Sequence, residues 1–144
     1  RWGRVDIKTV GLLPNALAKE AARRKGAVEA WLVKDGAVTE GSSTNAWIVS
    51  ADGVLITHPV GNAILGGVTR ATLMRCARDM QMKVIERPFT LEEAFAASEA
   101  FISSATTLAT SVTSIDGRKI GAGAPGPVVR RLREAYIEYA RRAG

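Results

Sequence analysis

The sequence predicts an α/β fold, because strand-like and helix-like patterns alternate along the chain. Three pairs of strand candidates meet at Asp-Gly turns, which are typical of β-hairpins. Three longer stretches carry apolar residues at helical spacing. With 144 residues, no internal repeat and no visible boundary, the chain fits one domain that buries roughly 68–70% of its unfolded surface.

The elements of the first half are justified by local patterns. Alternating polar and apolar residues predict a strand over 2–10, with Lys8 inside it. Pro14 followed by Asn15 opens a helix that Gly26 stops. The two hairpins that follow pair 29–34 with 38–39, and 45–49 with 54–57.

The second half continues the alternation. A helix is predicted over 69–80 with Leu73 and Ala77 facing inward. Thr90 and Glu93 have the spacing of a capping box, which predicts a short helix that runs to about residue 97. The remaining predicted elements are a strand over 83–86, a strand from Phe101, a hairpin of 109–115 with 119–120, and a helix over 127–142.

Charge leaves one non-enzymatic function class open. The net charge is +6, and the basic side chains gather at 23–25, 130–133 and 141–142. Such clusters can mark a nucleic-acid surface. They lie on the polar faces of predicted helices without interleaved aromatic residues for base stacking, so solvated faces are the favoured interpretation. A basic nucleic-acid-binding domain remains the alternative of another class.

The counts of cysteine and histidine and the hydropathy of the chain limit the metal sites and the cellular compartments that we expect. Cys76 is the single cysteine and His58 the single histidine, which excludes an internal disulfide and a His/Cys metal cluster. We therefore expect no metal, and a reducing compartment such as the cytoplasm. No apolar run approaches the roughly 18–20 residues of a membrane span, so no membrane partner is expected. Because the chain begins with Arg1 and its first residues have the pattern of mid-fold residues, we expect a piece of a longer protein.

The polar stretch 39–45 is the first candidate site. It places the carboxylate of Glu40 before a glycine, three hydroxyls and an amide, between two predicted hairpins. Such a stretch can be an ordinary turn that satisfies its own backbone. It can equally present the Glu40 carboxylate to a ligand.

Lys8 and two further stretches extend this candidate. A strand lysine can extend to water, but a desolvated lysine is the nucleophile that a Schiff base requires. Pyridoxal phosphate also requires a carboxylate at its pyridine nitrogen, which Glu40 could supply. Residues 66–69 run into a helix start, where free N–H groups favour an anion. The stretch 103–107 adds hydroxyls from a second loop.

An ordered series of motifs resembles the fold-type IV (class IV) pyridoxal-phosphate aminotransferases, and within them the D-amino-acid aminotransferases. The motifs are Arg4-Val5-Asp6-Ile7-Lys8-Thr9, Thr39-Glu40-Gly41-Ser42-Ser43-Thr44-Asn45, Thr57-His58-Pro59 and Ile64-Leu65-Gly66-Gly67-Val68-Thr69-Arg70. The resemblance spans nearly the whole chain and covers the larger domain of that family. It implies that residues 1–144 are the C-terminal cofactor-binding domain, without the N-terminal domain. The implied fold is a barrel-like mixed sheet of hairpins with about three packed helices.

The resemblance also implies residue roles. Lys8 would be the catalytic residue and would hold pyridoxal 5′-phosphate as a Schiff base, while Glu40 would hold the pyridine nitrogen. The other implied cofactor contacts are Leu65 against the ring, Val68, Thr69, Ser104 and Ala105 at the phosphate, and Arg1 near the phenolic oxygen. Ala105 stands where a threonine is usual, which leaves only its backbone N–H, and Trp47 stands where a phenylalanine is usual.

The implied activity is transamination between an amino acid, D-alanine in particular, and a 2-oxo acid, by a homodimer. A lyase acting on aminodeoxychorismate and a branched-chain aminotransferase are the alternatives within the same family.

Overall fold

Residues 3–143, which the computed structural model describes, form four helices and nine strands. The helices are α1 (Leu13–Arg24), α2 (Val68–Asp79), α3 (Leu91–Ala96) and α4 (Pro127–Ala143). The strands are β1 (Trp31–Lys34), β2 (Ala37–Gly41), β3 (Asn45–Val49), β4 (Leu55–Thr57), β5 (Val84–Glu86), β6 (Glu99–Ser104), β7 (Leu108–Val112), β8 (Ser114–Ile115) and β9 (Arg118–Lys119). No helix within this range is long and apolar enough to cross a membrane.

A mixed sheet with the order β5-β4-β3-β6-β7 lies at the centre of the fold. The pair β4–β5 is parallel, and the other three pairs are antiparallel. Two antiparallel ladders, β1–β2 and β8–β9, accompany this sheet. The expected α/β fold with a mixed sheet of hairpins is confirmed, with three longer helices and the short α3.

The central sheet is buried on both faces. Alternate residues of β3 belong to two different apolar clusters, Ala46 and Ile48 to one and Trp47 and Val49 to the other. The second cluster includes residues of α2 and α4, whereas the first includes residues of β2, α3 and the 120–126 linker. All five residues of β3 are therefore buried.

Most of the predicted elements are confirmed. The turn between β1 and β2 has positive φ at Asp35 and Gly36, as a two-residue hairpin requires. Thr90 and Glu93 form both hydrogen bonds of the capping box. The predicted strand over 109–115 is divided, because its first part pairs with β6 as β7 and only Ser114–Ile115 pairs across the Asp116-Gly117 turn.

The strand predicted over 2–10 is wrong for the described residues 3–10, which form turns and irregular backbone. Arg4 donates to both carboxylate oxygens of Asp6 at 2.9 and 2.8 Å, and this short-range pair closes a turn. No strand of residues 3–143 pairs with the segment, and Ile7 and Val10 are exposed. Alternation alone does not make a strand when no neighbouring strand takes up its backbone hydrogen bonds.

Candidate functional site

The sheet register places the candidate motifs at one edge. Asn45, the first residue of β3, pairs with Ser103 near the end of β6. Thr57, the last residue of β4, pairs with Trp47 on the other side of β3. Three segments therefore lie at the same edge of the central sheet. They are the stretch 39–45, the segment 58–67 that leads into α2, and the loop 104–107.

Glu40 and Asn45 hold the peptide groups of Leu65 from both sides. Glu40 lies at the end of β2 with 5% of its surface exposed, and its Oε2 accepts a hydrogen bond from the Leu65 backbone N–H at 2.8 Å. Asn45 Nδ2 donates to the Leu65 carbonyl oxygen at 2.9 Å. The Leu65 side chain is half-buried. The polar stretch thus fixes the segment that enters α2.

Gly67 marks a close approach at the start of α2. A Cβ atom at Gly67 would lie 3.1 Å from Asn45 Oδ1, so a larger residue would push the helix start away from the amide. Gly67 is the N-cap residue, and no side chain of residues 3–143 caps the helix. The first turn contains no acidic residue, and Thr69 within it is buried. Backbone N–H groups of such a helix start favour an anion.

Glu29 organises the hydroxyls of the polar stretch. Its carboxylate accepts hydrogen bonds from the backbone N–H groups of Ala30 and Ser42, at 2.8 and 3.2 Å, and from the Ser42 hydroxyl. Ser43 Oγ and Thr44 Oγ1 donate to the other carboxylate oxygen, at 3.3 and 3.0 Å. Burial raises the pKa of Glu29, but the bonds from Ser42, Ala30 and Thr44 and the charge of Lys19 outweigh it, so the pKa lies below its usual value.

The hydroxyl-rich stretch is divided between a strand and a loop. Ser103 is buried in β6 and accepts a hydrogen bond from Trp47 Nε1 at 2.9 Å. Ser104 Oγ lies 3.2 Å from Thr106 Oγ1 and 2.8 Å from Thr107 Oγ1, within the loop itself. Ala105 is exposed at the tip. The predicted residues Ser104 and Ala105 therefore lie at the same edge as Glu40.

Arg70 is a buried charge that links α2 to the sheet. Only 3% of its surface is exposed, and its Nη2 donates to the His58 carbonyl oxygen at 2.9 Å and to Glu86 Oε2 at 3.2 Å. The guanidinium carbon lies 5.7 Å from the ring centroid of Trp47. Arg70 follows Thr69 directly, so these contacts hold the first turn of α2 against β3, β5 and the residue that follows β4.

Lys8 lies outside the sheet and is exposed. Within residues 3–143, a backbone bond from the Val5 N–H to the Asn62 carbonyl oxygen at 3.0 Å ties its segment to the approach to α2. Within residues 3–143 the Lys8 side chain has no hydrogen-bond or ion-pair partner. The expected desolvation inside a strand is therefore absent. Arg1 lies outside the described residues.

Two contacts were not evident from the sequence. The sequence of 39–45 does not indicate that Glu29 binds its hydroxyls. No local pattern indicates that Arg133 on α4 donates to the loop at Thr107. Asn45 could have been selected, because an amide that ends a polar stretch is a common ligand for nearby backbone groups.

The separate groove between α1, β1 and β7 has a volume of about 590 Å³. Glu29 lines it, whereas Glu40, Leu65 and Thr69 do not. The edge site described above is therefore not this groove.

Comparison with known proteins assigns the class of protein that this fold and edge site define. The profile of the family Amino-transferase class IV matches residues 1–115. The chain belongs to the class IV aminotransferases.

Individual relatives are similar over nearly the whole chain. The D-alanine aminotransferase of Staphylococcus aureus (strain N315) is 42% identical over 139 residues, which are 96% of this chain and 49% of that protein. The D-alanine aminotransferase of Bacillus licheniformis is 42% identical over 135 residues, 94% of this chain and 47% of that protein. The chain thus spans about half the length of the curated relatives that it matches.

Solved structures confirm the fold. The T.th. branched-chain amino acid aminotransferase complexed with N-(5′-phosphopyridoxyl)-L-glutamate superposes with a TM-score of 0.88 at 38% identity. This similarity covers 93% of this chain and 46% of that chain. The branched-chain aminotransferase of Thermoproteus uzoniensis with norvaline gives a TM-score of 0.87 at 36% identity, over 93% of this chain and 44% of that one.

Proposed function

We propose that this chain is the pyridoxal-phosphate-binding part of an aminotransferase that exchanges an amino group between an amino acid and a 2-oxo acid. One observation carries the proposal. A buried carboxylate, a helix start that no side chain of residues 3–143 caps, and a hydroxyl-rich loop lie at one edge of the sheet in a chain that belongs to the class IV aminotransferases.

The residues at this edge fit the cofactor. A phosphate requires N–H donors and hydroxyls, which the start of α2 at Val68 and Thr69 offers. Ser104 and the backbone of Ala105 supply further donors from the second loop. A pyridine nitrogen requires a carboxylate, and Glu40 is held in place by its bond to the Leu65 N–H. Leu65 would lie beside the ring.

Lys8 supplies the amine. Pyridoxal 5′-phosphate, when bound, provides the electron sink that stabilises negative charge at the substrate Cα. Glu40 keeps a proton on the pyridine nitrogen, because an adjacent carboxylate favours the charged ring. Lys8 Nζ would be the covalent attachment point of the cofactor and, once the substrate amine has displaced it, would move the proton from the substrate Cα. The assignment of Arg1 to the phenolic oxygen stays a prediction.

The substrate proposal follows the relatives. The curated relatives at 42% identity are D-alanine aminotransferases, so D-alanine with a 2-oxo acid is the first candidate pair. L-branched-chain amino acids are the second, because the similar solved structures are branched-chain aminotransferases. We further propose that residues 1–144 are a C-terminal domain that works with an N-terminal domain, as a cytoplasmic homodimer. The relatives, about twice as long, support the two-domain organisation.

The decisive experiment is borohydride reduction of the cofactor-loaded protein, followed by peptide mapping. We expect the reduced cofactor, which labels the lysine that held it, on Lys8. We expect Lys8→Ala to lose both this label and nearly all transamination. The other lysines are Lys19, Lys25, Lys34, Lys83 and Lys119. A label on one of these five would reject the assignment of Lys8.

The same protein is then assayed with D-alanine and 2-oxoglutarate beside L-leucine and 2-oxoglutarate. Faster turnover of D-alanine supports the first candidate, and faster turnover of L-leucine supports the second. The protein could instead bind no pyridoxal phosphate and slow the migration of DNA in a gel-shift assay. That result would support the alternative class, a basic nucleic-acid-binding domain.

A further inference from the structure

The last helix contacts the hydroxyl-rich loop through one arginine. Arg133 Nη1 donates to the Thr107 carbonyl oxygen at 2.6 Å and to the Ala109 carbonyl oxygen at 2.9 Å. Thr110 Oγ1 donates to the same Thr107 oxygen at 3.0 Å. Arg133 lies beyond residues 1–115, which the family profile matches. Its position in a basic cluster predicted a solvated side chain, but it holds the loop.

The two carbonyl groups that Arg133 binds lie directly before and after a strained residue. The strands β6 and β7 are joined by residues 105–107, and Leu108 follows with φ of 57°. Glycine is the residue that adopts such a left-handed conformation most easily. A leucine there is unfavourable and persists only where surrounding contacts hold the backbone. The bonds from Arg133 are contacts of this kind.

The shape of this loop decides which donors it presents. The Ser104 hydroxyl accepts from the Thr107 N–H at 3.2 Å and also bonds the hydroxyls of Thr106 and Thr107. Within residues 3–143, the backbone N–H groups of Ala105 and Thr106 have no acceptor. Ala105 has no side-chain donor of its own. An anion at this loop would meet the hydroxyls of Ser104, Thr106 and Thr107 and the backbone N–H groups of Ala105 and Thr106, and the turn sets the directions of these N–H groups.

We propose that Arg133 is a positioning residue that fixes the 105–108 turn, so that the N–H groups of Ala105 and Thr106 bind the phosphate of the cofactor. The inference rests on the proposed function, because it takes pyridoxal phosphate as the ligand of this edge. Arg133 acts through the backbone of Thr107 and Ala109 and does not itself contact the phosphate.

Arg131 provides a matched control on the same helix. Both arginines are exposed, and replacing either with methionine removes one positive charge. Within the described part of the chain the Arg131 side chain has no hydrogen-bond or ion-pair partner. The change in net charge is therefore the same in both variants, whereas loss of loop positioning affects Arg133→Met alone.

The test compares pyridoxal phosphate with pyridoxal, which lacks the phosphate. Both are titrated by absorbance into the full chain and into its Arg133→Met, Arg133→Lys and Arg131→Met variants. We expect Arg133→Met to weaken pyridoxal phosphate about tenfold, the size of one charge-assisted hydrogen bond, and to leave pyridoxal binding unchanged. Arg133→Lys should recover part of the loss, because one nitrogen serves both carbonyl groups and an ammonium offers three donors.

Hydrogen exchange gives a readout that does not depend on the cofactor. Amides of residues 105–109 should exchange faster in Arg133→Met than in Arg131→Met, without ligand. Equal affinities and equal exchange in these two variants would overturn the inference. Equal weakening of pyridoxal phosphate and pyridoxal would also overturn it, because the effect would not be specific to the phosphate. Failure of the unsubstituted chain to bind pyridoxal phosphate would instead reject the proposed function.

Discussion

Gly41 lies where a side chain cannot fit, and Gly41→Ala tests whether the polar stretch is built as described. A Cβ atom at this position would overlap Thr44 Oγ1 and lie 3.2 Å from both Cδ and Oε2 of Glu29. The backbone cannot easily move away, because the Gly41 N–H donates to the Thr44 carbonyl oxygen at 2.7 Å. The Thr44 side chain must therefore rotate out of its place.

The expected loss follows from the bond that this rotation breaks. Thr44 Oγ1 donates to the ionised Glu29 at 3.0 Å, and a hydrogen bond to a charged group contributes about 1.5–3 kcal/mol. We expect Gly41→Ala to lower the free energy of unfolding by about that amount. Because Glu40 is the preceding residue, we also expect weaker binding of pyridoxal phosphate.

Urea unfolding with a matched glycine substitution provides the assay. Gly61 has no heavy atom within 4 Å of the position where a Cβ would lie, and its φ is not positive. Gly61→Ala should therefore leave stability unchanged or raise it by about 0.4–1 kcal/mol, because alanine restricts the unfolded chain. If Gly41→Ala unfolds at the same urea concentration as Gly61→Ala, the close packing of Gly41, Thr44 and Glu29 is wrong.

Three further predictions concern carboxylates. Glu40→Gln should fold and bind pyridoxal phosphate somewhat more weakly, because the amide oxygen can still accept from the Leu65 N–H. It should transaminate about 10²-fold more slowly, because the amide carries no charge. An unchanged rate at full cofactor occupancy would contradict the role of Glu40. Glu99 accepts the N–H groups that start α4, those of Val128 and Val129, both at 2.9 Å. Glu99→Ala should lose about 1–3 kcal/mol in urea unfolding, and no loss would show that the cap contributes nothing. Because the pKa of Glu29 is lowered in the fold, its stabilisation is complete above the ordinary value of 4.5 and is lost as pH falls through the lower folded-state pKa. The difference in stability between the parent and Glu29→Gln should therefore shrink between about pH 6 and pH 3, and a constant difference over that range would refute the assignment.

Local signals predicted most of the fold. The Asp35-Gly36 turn and the capping box of Thr90 and Glu93 depend on neighbouring residues, so the sequence near them contains the necessary information. The strand expected over 2–10 failed because strand formation depends on a partner elsewhere. The same reason explains why residues 109–112 pair with β6 and not with 119–120.

The residues of the candidate site could be selected from the sequence, but their contacts could not be predicted from it. Glu40, Thr69 and Ser104 were selected from their chemistry and motif context, and the sheet register brings their segments to one edge. The bonds that hold them connect distant parts of the chain. Glu40 binds the Leu65 N–H, 25 residues away, and Arg133 binds Thr107, 26 residues away. Such pairs depend on tertiary packing, which no local pattern encodes.

The parts of the candidate site differ in how firmly the fold holds them. The Glu40 carboxylate and the start of α2 form one unit, because Glu40 and Asn45 bind the N–H and carbonyl of Leu65. Lys8 belongs to an irregular segment, and within residues 3–143 a backbone bond from the Val5 N–H ties that segment to the same approach. Under the proposed function, the groups that would bind the phosphate and the ring nitrogen are thus held by the fold, whereas the amine lies on an exposed, irregular segment. We expect recognition of the cofactor to precede its covalent attachment, because a preorganised anion site binds without reordering the lysine segment.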